Sequence, residues 1–213
     1  MFIELLDLLR CVKPHEETWL VASFRTVSHR FVQDASLGCP TCSARYEIAR
    51  GIADFTAREA VPECEDERAA SSHRREELAT RAGAYLDATT PGGTYVLGGL
   101  WAYAAQDLAD MMDVRVIALN APAGVIESER VGLVRAGNSI PLAAGSVQGI
   151  ALDQWFPKAI VASAIRVVAP GRRVVGPSSF TAPREMTVLA HDEHYWVAEK
   201  QGDTIPLQRA PRK

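Results

Sequence analysis

The sequence predicts an α/β protein with a doubly wound, mostly parallel sheet, preceded by a small β domain that holds a metal. From about residue 94 onward, short apolar runs alternate with helical patterns and are separated by turns that contain Gly or Pro. Three of the four cysteines lie in the first fifth of the 213-residue chain, which places the metal there. The apolar content of 47% is that of a soluble globular protein.

The first 55 residues contain two pairs of candidate metal ligands. Cys39 and Cys42 form a C-x2-C knuckle, and Cys11 and His15 form a C-x3-H pair upstream of it. Residues 18–32 between them are rich in β-branched and aromatic side chains, which predicts a β-hairpin. The pattern predicts a zinc ribbon. Because a fold of this size buries little apolar surface, the metal would supply most of its stability.

Other interpretations of these cysteines stay open. They could be ordinary buried thiols, His29 could replace His15 as the fourth ligand, or a decayed three-ligand site could bind no zinc. In the preferred interpretation the site is structural, since four protein ligands leave no open position for a substrate or water.

The next segment predicts a linker and a helix. Residues 56–72 carry many charges and little apolar surface, and Cys64 within them is interpreted as an incidental thiol because no His lies near it. Residues 73–88 have apolar side chains at helical spacing. The predicted organisation is therefore a ribbon domain (1–55), a linker (56–72) and an α/β domain (73–213).

Within the α/β domain each element follows from its pattern. The predicted strands are 94–98, 114–119, 131–135, 147–152 and 172–176, and the predicted helices are 101–112 and 156–168. A terminal antiparallel hairpin is predicted from 186–190 and 195–199. The cluster of His and acidic residues at 191–194 is interpreted as a solvated turn rather than a second metal site.

Two families resemble parts of this chain. The segments Leu5–Cys11, Cys39–Cys42 and Tyr46–Phe55 resemble the zinc ribbon of the small activator subunit of tRNA and protein methyltransferases, with the pattern LLxxLxCPxC … CxxCxxxYPIxxGIP. The segments 140–152 and 165–175 resemble the LPFxDGSFDxVxx and xRVLxPGGRLV patterns of class I S-adenosylmethionine-dependent methyltransferases. The second resemblance spans about residues 70–200 and implies a Rossmann-like methyltransferase fold.

The methyltransferase resemblance also implies a cofactor loop, and this chain departs from it. The family's first loop reads (D/E)xGxGxG; here the acid becomes Gly98 and the three glycines become Leu100, Ala102 and Ala104. A Leu side chain would occupy space that the cofactor needs. In an alternative register, Gly98 and Gly99 form the working turn.

The acids that the resemblance places around the cofactor are missing as well. Asn120 stands where an acid would hold the ribose hydroxyls, and Asn138 where an acid would meet the adenine amino group. Asp153 lies where active members keep a residue that faces the substrate; the preferred interpretation is an N-cap for a helix from Gln154 onward. We therefore expect a degenerate site made of Gly98, Gly99, Leu100, Asn120, Asn138 and Asp153.

These observations predict a methyltransferase-like protein that no longer binds S-adenosylmethionine well and acts as a non-catalytic partner of another protein. The main alternative is an active methyltransferase with an unusual loop, acting on a small molecule or RNA. A third possibility is that the pocket has been reused for a different ligand. No catalytic residue is assigned.

Composition limits the partners and the compartment. The net charge of −3 argues against a general nucleic-acid binder. No apolar run approaches the length of a membrane span. The acids near the N-terminus do not fit a signal peptide, so a cytoplasmic location is expected.

Overall fold

One sheet of eleven strands runs through the computed structural model, which describes residues 1–56 and 71–202. The first four strands are β1 (Val21–Ser28), β2 (Phe31–Gly38), β3 (Arg45–Ala49) and β4 (Ile52–Phe55). The other seven are β5 (Thr94–Gly98), β6 (Arg115–Leu119), β7 (Val131–Ala136), β8 (Val147–Ala151), β9 (Val168–Pro177), β10 (Met186–His191) and β11 (Tyr195–Lys200). Across the sheet they lie in the order β1-β2-β3-β4-β7-β6-β5-β8-β9-β11-β10.

The middle of the sheet, from β4 to β9, is parallel, and both ends are antiparallel. The predicted α/β sheet is therefore confirmed, but its strand directions are more mixed than a mostly parallel sheet. All of β5 and most of β6 are buried, as expected for parallel strands that are covered on both faces. The strands β6 and β8 both flank β5, so the strand order reverses there and opens a crevice at the carboxyl ends.

Within the described residues, three α-helices and two 3-10 helices cover the sheet. They are α1 (Ser72–Leu86), α2 (Ala105–Met112), α3 (Lys158–Val167) and the 3-10 helices Ile3–Leu8 and Gly99–Ala104. The helices α1 and α2 pack in one apolar cluster with the inner residues of β5 and β6, and α3 packs in a second cluster on the opposite face. This arrangement is that of a doubly wound sheet.

The N-terminal strands continue this sheet. The strand β4 pairs in parallel with β7, with Ile52 opposite Leu133. Leu37 and Ile48 are almost completely buried in the same apolar cluster as Val134. The N-terminal strands therefore share a core with the rest of the chain, so apolar burial stabilises this part too, while the share supplied by a metal stays a prediction.

The first 3-10 helix covers a sheet face that other doubly wound sheets cover with crossover helices. The connections 120–130 and 137–146 contain no helix. Leu5 is fully buried against this face, and a Cβ built on Gly132 of β7 would lie only 2.6 Å from its Cδ2. Gly132 therefore makes room for the helix.

Most predicted elements of the α/β part are confirmed, with small shifts at their ends. The predicted strands at 94–98, 114–119, 131–135 and 147–152 and the terminal hairpin are observed as β5 to β8, β10 and β11. The predicted helix 101–112 is a 3-10 helix that runs into α2. The strand predicted at 172–176 begins earlier, since Val168 already pairs with Val147.

The N-terminal hairpin predicted at 18–32 is observed as β1 and β2, joined by a turn at His29 and Arg30. The predicted helix 73–88 is α1. Of the predicted linker 56–72, residues 57–70, including Cys64, lie outside the described part of the chain. The three domain boundaries stay a prediction.

No helix among residues 1–56 and 71–202 combines the length and the apolar character needed to cross a membrane.

The shared core predicts that the N-terminal helix stabilises the whole molecule. We expect Leu5→Ala to lower the free energy of unfolding by about 2–5 kcal/mol, because Leu5 is fully buried. Leu189→Ala is the matched control, since Leu189 is 48% exposed on β10, and it should change stability by no more than about 0.5 kcal/mol. Urea unfolding followed by Trp fluorescence and circular dichroism measures both variants. Two separate transitions, with only one shifted by Leu5→Ala, would contradict a shared core.

Candidate functional site: a Cys3His cluster and the carboxyl edge of the sheet

The four predicted metal ligands lie together. Cys11 follows the first 3-10 helix, His15 is in the next turn, and Cys39 and Cys42 lie in the loop between β2 and β3. Their ligand atoms are all within 4.8 Å of one another. The Sγ atoms of Cys11 and Cys42 are 3.6 Å apart, and Cys39 Sγ is 3.4 Å from His15 Nε2. Three thiols and one imidazole are a donor set that suits zinc, so these residues fit the ion.

His15 has the orientation that a metal ligand needs. Its Nδ1 lies 2.6 Å from the backbone oxygen of Glu16, and a proton donated there would leave Nε2 free to bind a metal. His29 lies at the β1–β2 turn, at the opposite end of the eight-residue strand β2 from Cys39, and eight residues of strand span roughly 25 Å. The geometry therefore groups His15, and not His29, with the cysteines.

Groups around the cluster adjust its thiols. The Tyr46 hydroxyl accepts a hydrogen bond from the Val12 N–H at 3.4 Å and lies 3.2 Å from Cys11 Sγ. Burial raises the pKa of Cys11. Burial also acts to raise the pKa of Cys39, but hydrogen bonds from the backbone N–H groups of Cys42 and Thr41 outweigh it, and this pKa falls to about 6. A thiol that ionises easily favours metal binding, because the thiolate is the ligand.

The loop between Cys11 and Thr18 also contacts the α/β part. Glu17 in this loop accepts hydrogen bonds from the Arg166 guanidinium of α3 and from the Ala144 backbone N–H, both at 2.9 Å. Arg166 in turn donates to the backbone oxygens of Leu142 and Ile140. These hydrogen bonds connect the loop between Cys11 and Thr18 to α3 and to the segment before β8.

The second candidate site lies at the carboxyl edge of β5, β6, β7 and β8. Parallel strands end at the same edge of a sheet, which brings the ends of β5, β6 and β8, with Gly98, Asn120 and Asp153, to one side of the molecule. Asn138 follows β7 and is exposed. This edge is where the resemblance to methyltransferases implies a cofactor.

The strand β5 ends in a tight turn at Gly98 and Gly99. Gly99 has φ +60°, which favours glycine. A Cβ on Gly98 would lie 2.7 Å from the Phe156 ring and 2.8 Å from Leu152 Cδ2, and a Cβ on Gly99 would overlap the Asp153 carboxylate. The space that the glycines leave is thus filled by side chains that follow β8.

The position of the turn bears on the predicted register. The turn lies at Gly98 and Gly99, the two residues that the alternative register would use. Leu100 is half-buried against the apolar cluster of α1 and α2, and Ala102 and Ala104 are buried in that cluster. The three residues aligned with the family's glycines therefore belong to the helix that follows the turn.

Asp153 joins the loops after β5 and β8. It is fully buried, and its carboxylate accepts hydrogen bonds from the backbone N–H groups of Leu100 (2.6 Å) and Trp155 (3.0 Å). Burial raises its pKa, while these two bonds act in the opposite direction. The helix N-cap interpretation is wrong, because α3 begins only at Lys158 with Pro157 as its cap.

The Asn120 side chain is bound to the backbone of β7. Its Oδ1 accepts a hydrogen bond from the Ala136 N–H at 2.8 Å, and its Nδ2 donates to the Ala136 oxygen at 2.9 Å. Asn120 itself has φ +48°, a conformation that Asn tolerates better than most residues. Its amide thus replaces a pair of strand hydrogen bonds beyond the end of β6.

One group of residues at this edge was not predicted from the sequence. Arg74, Arg81 and Trp101 lie with His194 around a cavity beside the β5 turn. Two arginines seven residues apart on one helix were a signal that could have been used. The 191–194 segment is an exposed turn, as predicted: the Asp192 carboxylate accepts the backbone N–H groups of the two residues that close it.

The cluster predicts which histidine binds metal. We expect purified protein to contain about one zinc per chain. His15→Ala should weaken zinc binding by at least about tenfold, since loss of outer-shell groups alone costs about 10–100-fold. His29→Ala should leave binding unchanged and serves as the matched control. Competition with a chromophoric chelator measures both, and equal affinity of the two variants would contradict the assignment of His15.

The filled glycine turn predicts an unequal effect of two Gly→Ala variants. A Cβ placed on Gly92 (φ +69°) would have nothing within 4 Å, whereas one on Gly99 (φ +60°) would overlap Asp153. Both variants carry the cost of a left-handed conformation, about 1–2 kcal/mol. Gly99→Ala should cost about 1–3 kcal/mol more, because buried groups must shift. Thermal and urea unfolding measure the difference, and equal stability of the two variants would contradict the close packing at Gly99.

No family model matches the chain, and no curated protein matches it in sequence. Solved structures similar to it include a chain of the complex between the Haloferax volcanii Trm112 methyltransferase activator and a protein described as a methyltransferase (18% identity, 51% of this chain and 54% of that one, TM-score 0.42). Another is a protein from Galdieria sulphuraria described as a sarcosine dimethylglycine methyltransferase (18% identity, 55% of this chain and 54% of that one, TM-score 0.40).

A third is the MycE methyltransferase of the mycinamycin biosynthetic pathway, solved with Mg, SAH and mycinamycin VI (10% identity, 60% of this chain and 48% of that one, TM-score 0.46). The matched regions span about half the length of each of these structures. The neighbours are thus methyltransferases or their complexes at low sequence identity, and at these TM-scores the similarity carries no argument about function.

Proposed function

We propose that this chain is a methyltransferase-like protein that does not bind S-adenosylmethionine and acts as a non-catalytic partner of another protein. The observation that carries the proposal is the filled end of β5. Side chains that follow β8 pack against Gly98 and Gly99, where the resemblance implies that the cofactor would approach the backbone. The residues present at this turn do not fit the cofactor.

The polar groups of this edge support the same conclusion. Both amide atoms of Asn120 are engaged by the Ala136 backbone, so binding a ribose would require breaking these bonds. Asp153, the buried carboxylate of the edge, holds two loops together through Leu100 and Trp155. We infer that these residues now stabilise the fold and that none is catalytic.

The Cys3His cluster fits this function as a structural site. Zinc bound by Cys11, His15, Cys39 and Cys42 would have no open position for a substrate. Its contribution would be to order the loop that carries Glu17, and through Glu17 the segment near Arg166 of α3.

The edge strand β1 is a surface that supports a protein partner. Among the described strands it is the outermost on the N-terminal side of the sheet, so one side of its backbone pairs with no other described strand. Trp19 just before the strand and Val21, Phe24 and Val27 within it are each 45–68% exposed. An exposed apolar edge strand can accept a further strand from another chain.

A second candidate function is an active S-adenosylmethionine-dependent methyltransferase on a small molecule or RNA. One observation favours it: β5 does end in a tight Gly98–Gly99 turn with φ +60° at Gly99, as the alternative register expects.

Calorimetric titration of the purified protein with S-adenosylmethionine and S-adenosylhomocysteine separates the two functions. We expect no heat of binding up to about millimolar ligand, because the turn is filled and such affinity would require at least about −4 kcal/mol. An active methyltransferase titrated in parallel is the positive control. Micromolar binding would overturn the non-catalytic function.

The partner half of the proposal is checked by affinity purification from the native host with the intact chain and with Phe24→Asp. A stoichiometric protein that is retained by the intact chain and lost with Phe24→Asp supports the β1 edge. Arg45→Asp on the inner strand β3 is the charge control. Equal retention by all three proteins would exclude β1 as the contact.

A further inference from the structure

A cavity of about 140 Å³ lies beside the β5 turn. It is lined by Arg74 and Arg81 of α1, by Leu100 and Trp101 after β5, and by the turn between β10 and β11. Gln154, which follows β8, also lines it. The cavity therefore opens at the carboxyl edge of the sheet, where open α/β sheets bind their ligands.

Trp101, a buried residue of this lining, has one polar group that no described residue satisfies. The residue is 1% exposed, and its Nε1–H has no acceptor among the described residues. By contrast, the equally buried Trp196 donates its Nε1–H to the Phe180 oxygen at 2.9 Å. Buried indole N–H groups usually find an acceptor, so Trp101 departs from the usual pattern at a wall of the cavity.

The charged groups around the cavity favour an anion. Arg74 and Arg81 both bond Glu77, at 2.7 Å and 3.0 Å. Two guanidinium groups that share one carboxylate keep a net positive charge and several free N–H donors. Oxyanions are the ligands that match such donors.

The rest of the lining is apolar and aromatic. Leu78 and Leu100 lie beside the Trp101 ring, whose centroid is 5.1 Å from that of Tyr195. The volume is close to the ~150 Å³ of an engineered cavity that binds benzene. The space thus suits one small ring or an aliphatic body of similar size.

We propose that this cavity binds a small molecule with a compact apolar ring and an anionic head group. Arg74 and Arg81 contact the oxyanion, and Leu78, Leu100, Trp101 and Tyr195 enclose the ring. The inference rests on the proposed function, since it takes the edge of the sheet to be free of S-adenosylmethionine and reused for another ligand. Carboxylates and phosphate monoesters share the required chemistry.

The test follows the four Trp indole N–H signals of ¹⁵N-labelled protein by NMR during titration with benzoate and with phenyl phosphate. The Trp101 signal is assigned by Trp101→Phe. We expect at least one of the two anions to shift it saturably while the Trp196 signal stays in place. Benzamide, the neutral analogue of benzoate, should bind at least about tenfold more weakly, because it lacks the charge-assisted bonds.

Variants separate a charge effect from a folding effect. Arg81→Gln and Arg74→Gln should each weaken anion binding by about tenfold or more. Glu77→Gln should strengthen it, because the carboxylate no longer competes for the two guanidinium groups. Arg45→Gln on β3 removes a distant positive charge and should change nothing. An unchanged Trp196 signal in every variant shows that the fold is intact.

The outcomes distinguish this inference from the proposed function. If neither anion shifts the Trp101 signal, or if benzamide binds as well as benzoate, the ligand site is refuted while the non-catalytic function stands. If S-adenosylmethionine shifts the Trp101 signal and Arg81→Gln abolishes that shift, the cavity belongs to a working cofactor site. Both proposals then fail together.

Discussion

The parallel pairing of β4 with β7 is the constraint on which the rest of the structure depends. It joins the N-terminal strands to the α/β sheet through backbone hydrogen bonds. It also holds the first 3-10 helix over a sheet face whose own connections contain no helix. Without this pairing, β7 would be an edge strand with an uncovered apolar face. The N-terminal part thus covers the sheet face that two crossover helices would otherwise cover.

The same arrangement gives the metal cluster a role beyond its own loop. Glu17 lies between two of the metal ligands in sequence and bonds both Arg166 and the Ala144 backbone. Arg166 in turn orders the segment that runs into β8. These hydrogen bonds connect the loop of the Cys3His cluster to the segment before β8, the strand whose following loop carries Asp153.

The sequence predicted the elements well because each has a strong local pattern: the apolar run of β5, the helical spacing of α1, and the turn residues between them. The residues of the Cys3His cluster were also predicted, since the spacing within each Cys–Cys or Cys–His pair is local. The β4–β7 pairing was not predicted, because the sequence of neither strand identifies a partner that lies about 80 residues away in the chain. Phe156 packs against the Gly98 turn, and the Asn120 side chain bonds the Ala136 backbone. Both contacts depend on tertiary packing. The sequence therefore showed only that the family's glycines and acids are absent, and not what fills their places. The donor cluster around Trp101 draws on three separate segments and has no signature in any one of them.

The β4–β7 pairing also has a consequence for how the chain is made. Ile52 and Leu133 pair, so β4 leaves the ribosome long before its neighbour exists. Until β7 emerges, β4 is an open edge, and contacts at such sequence separation form slowly. The strand pairing within the hairpins β1–β2 and β3–β4 is local in sequence, so these hairpins can form first. A metal bound at that stage would keep the early strands in register. The strand β4 would then be ready to pair with β7 when β7 is made.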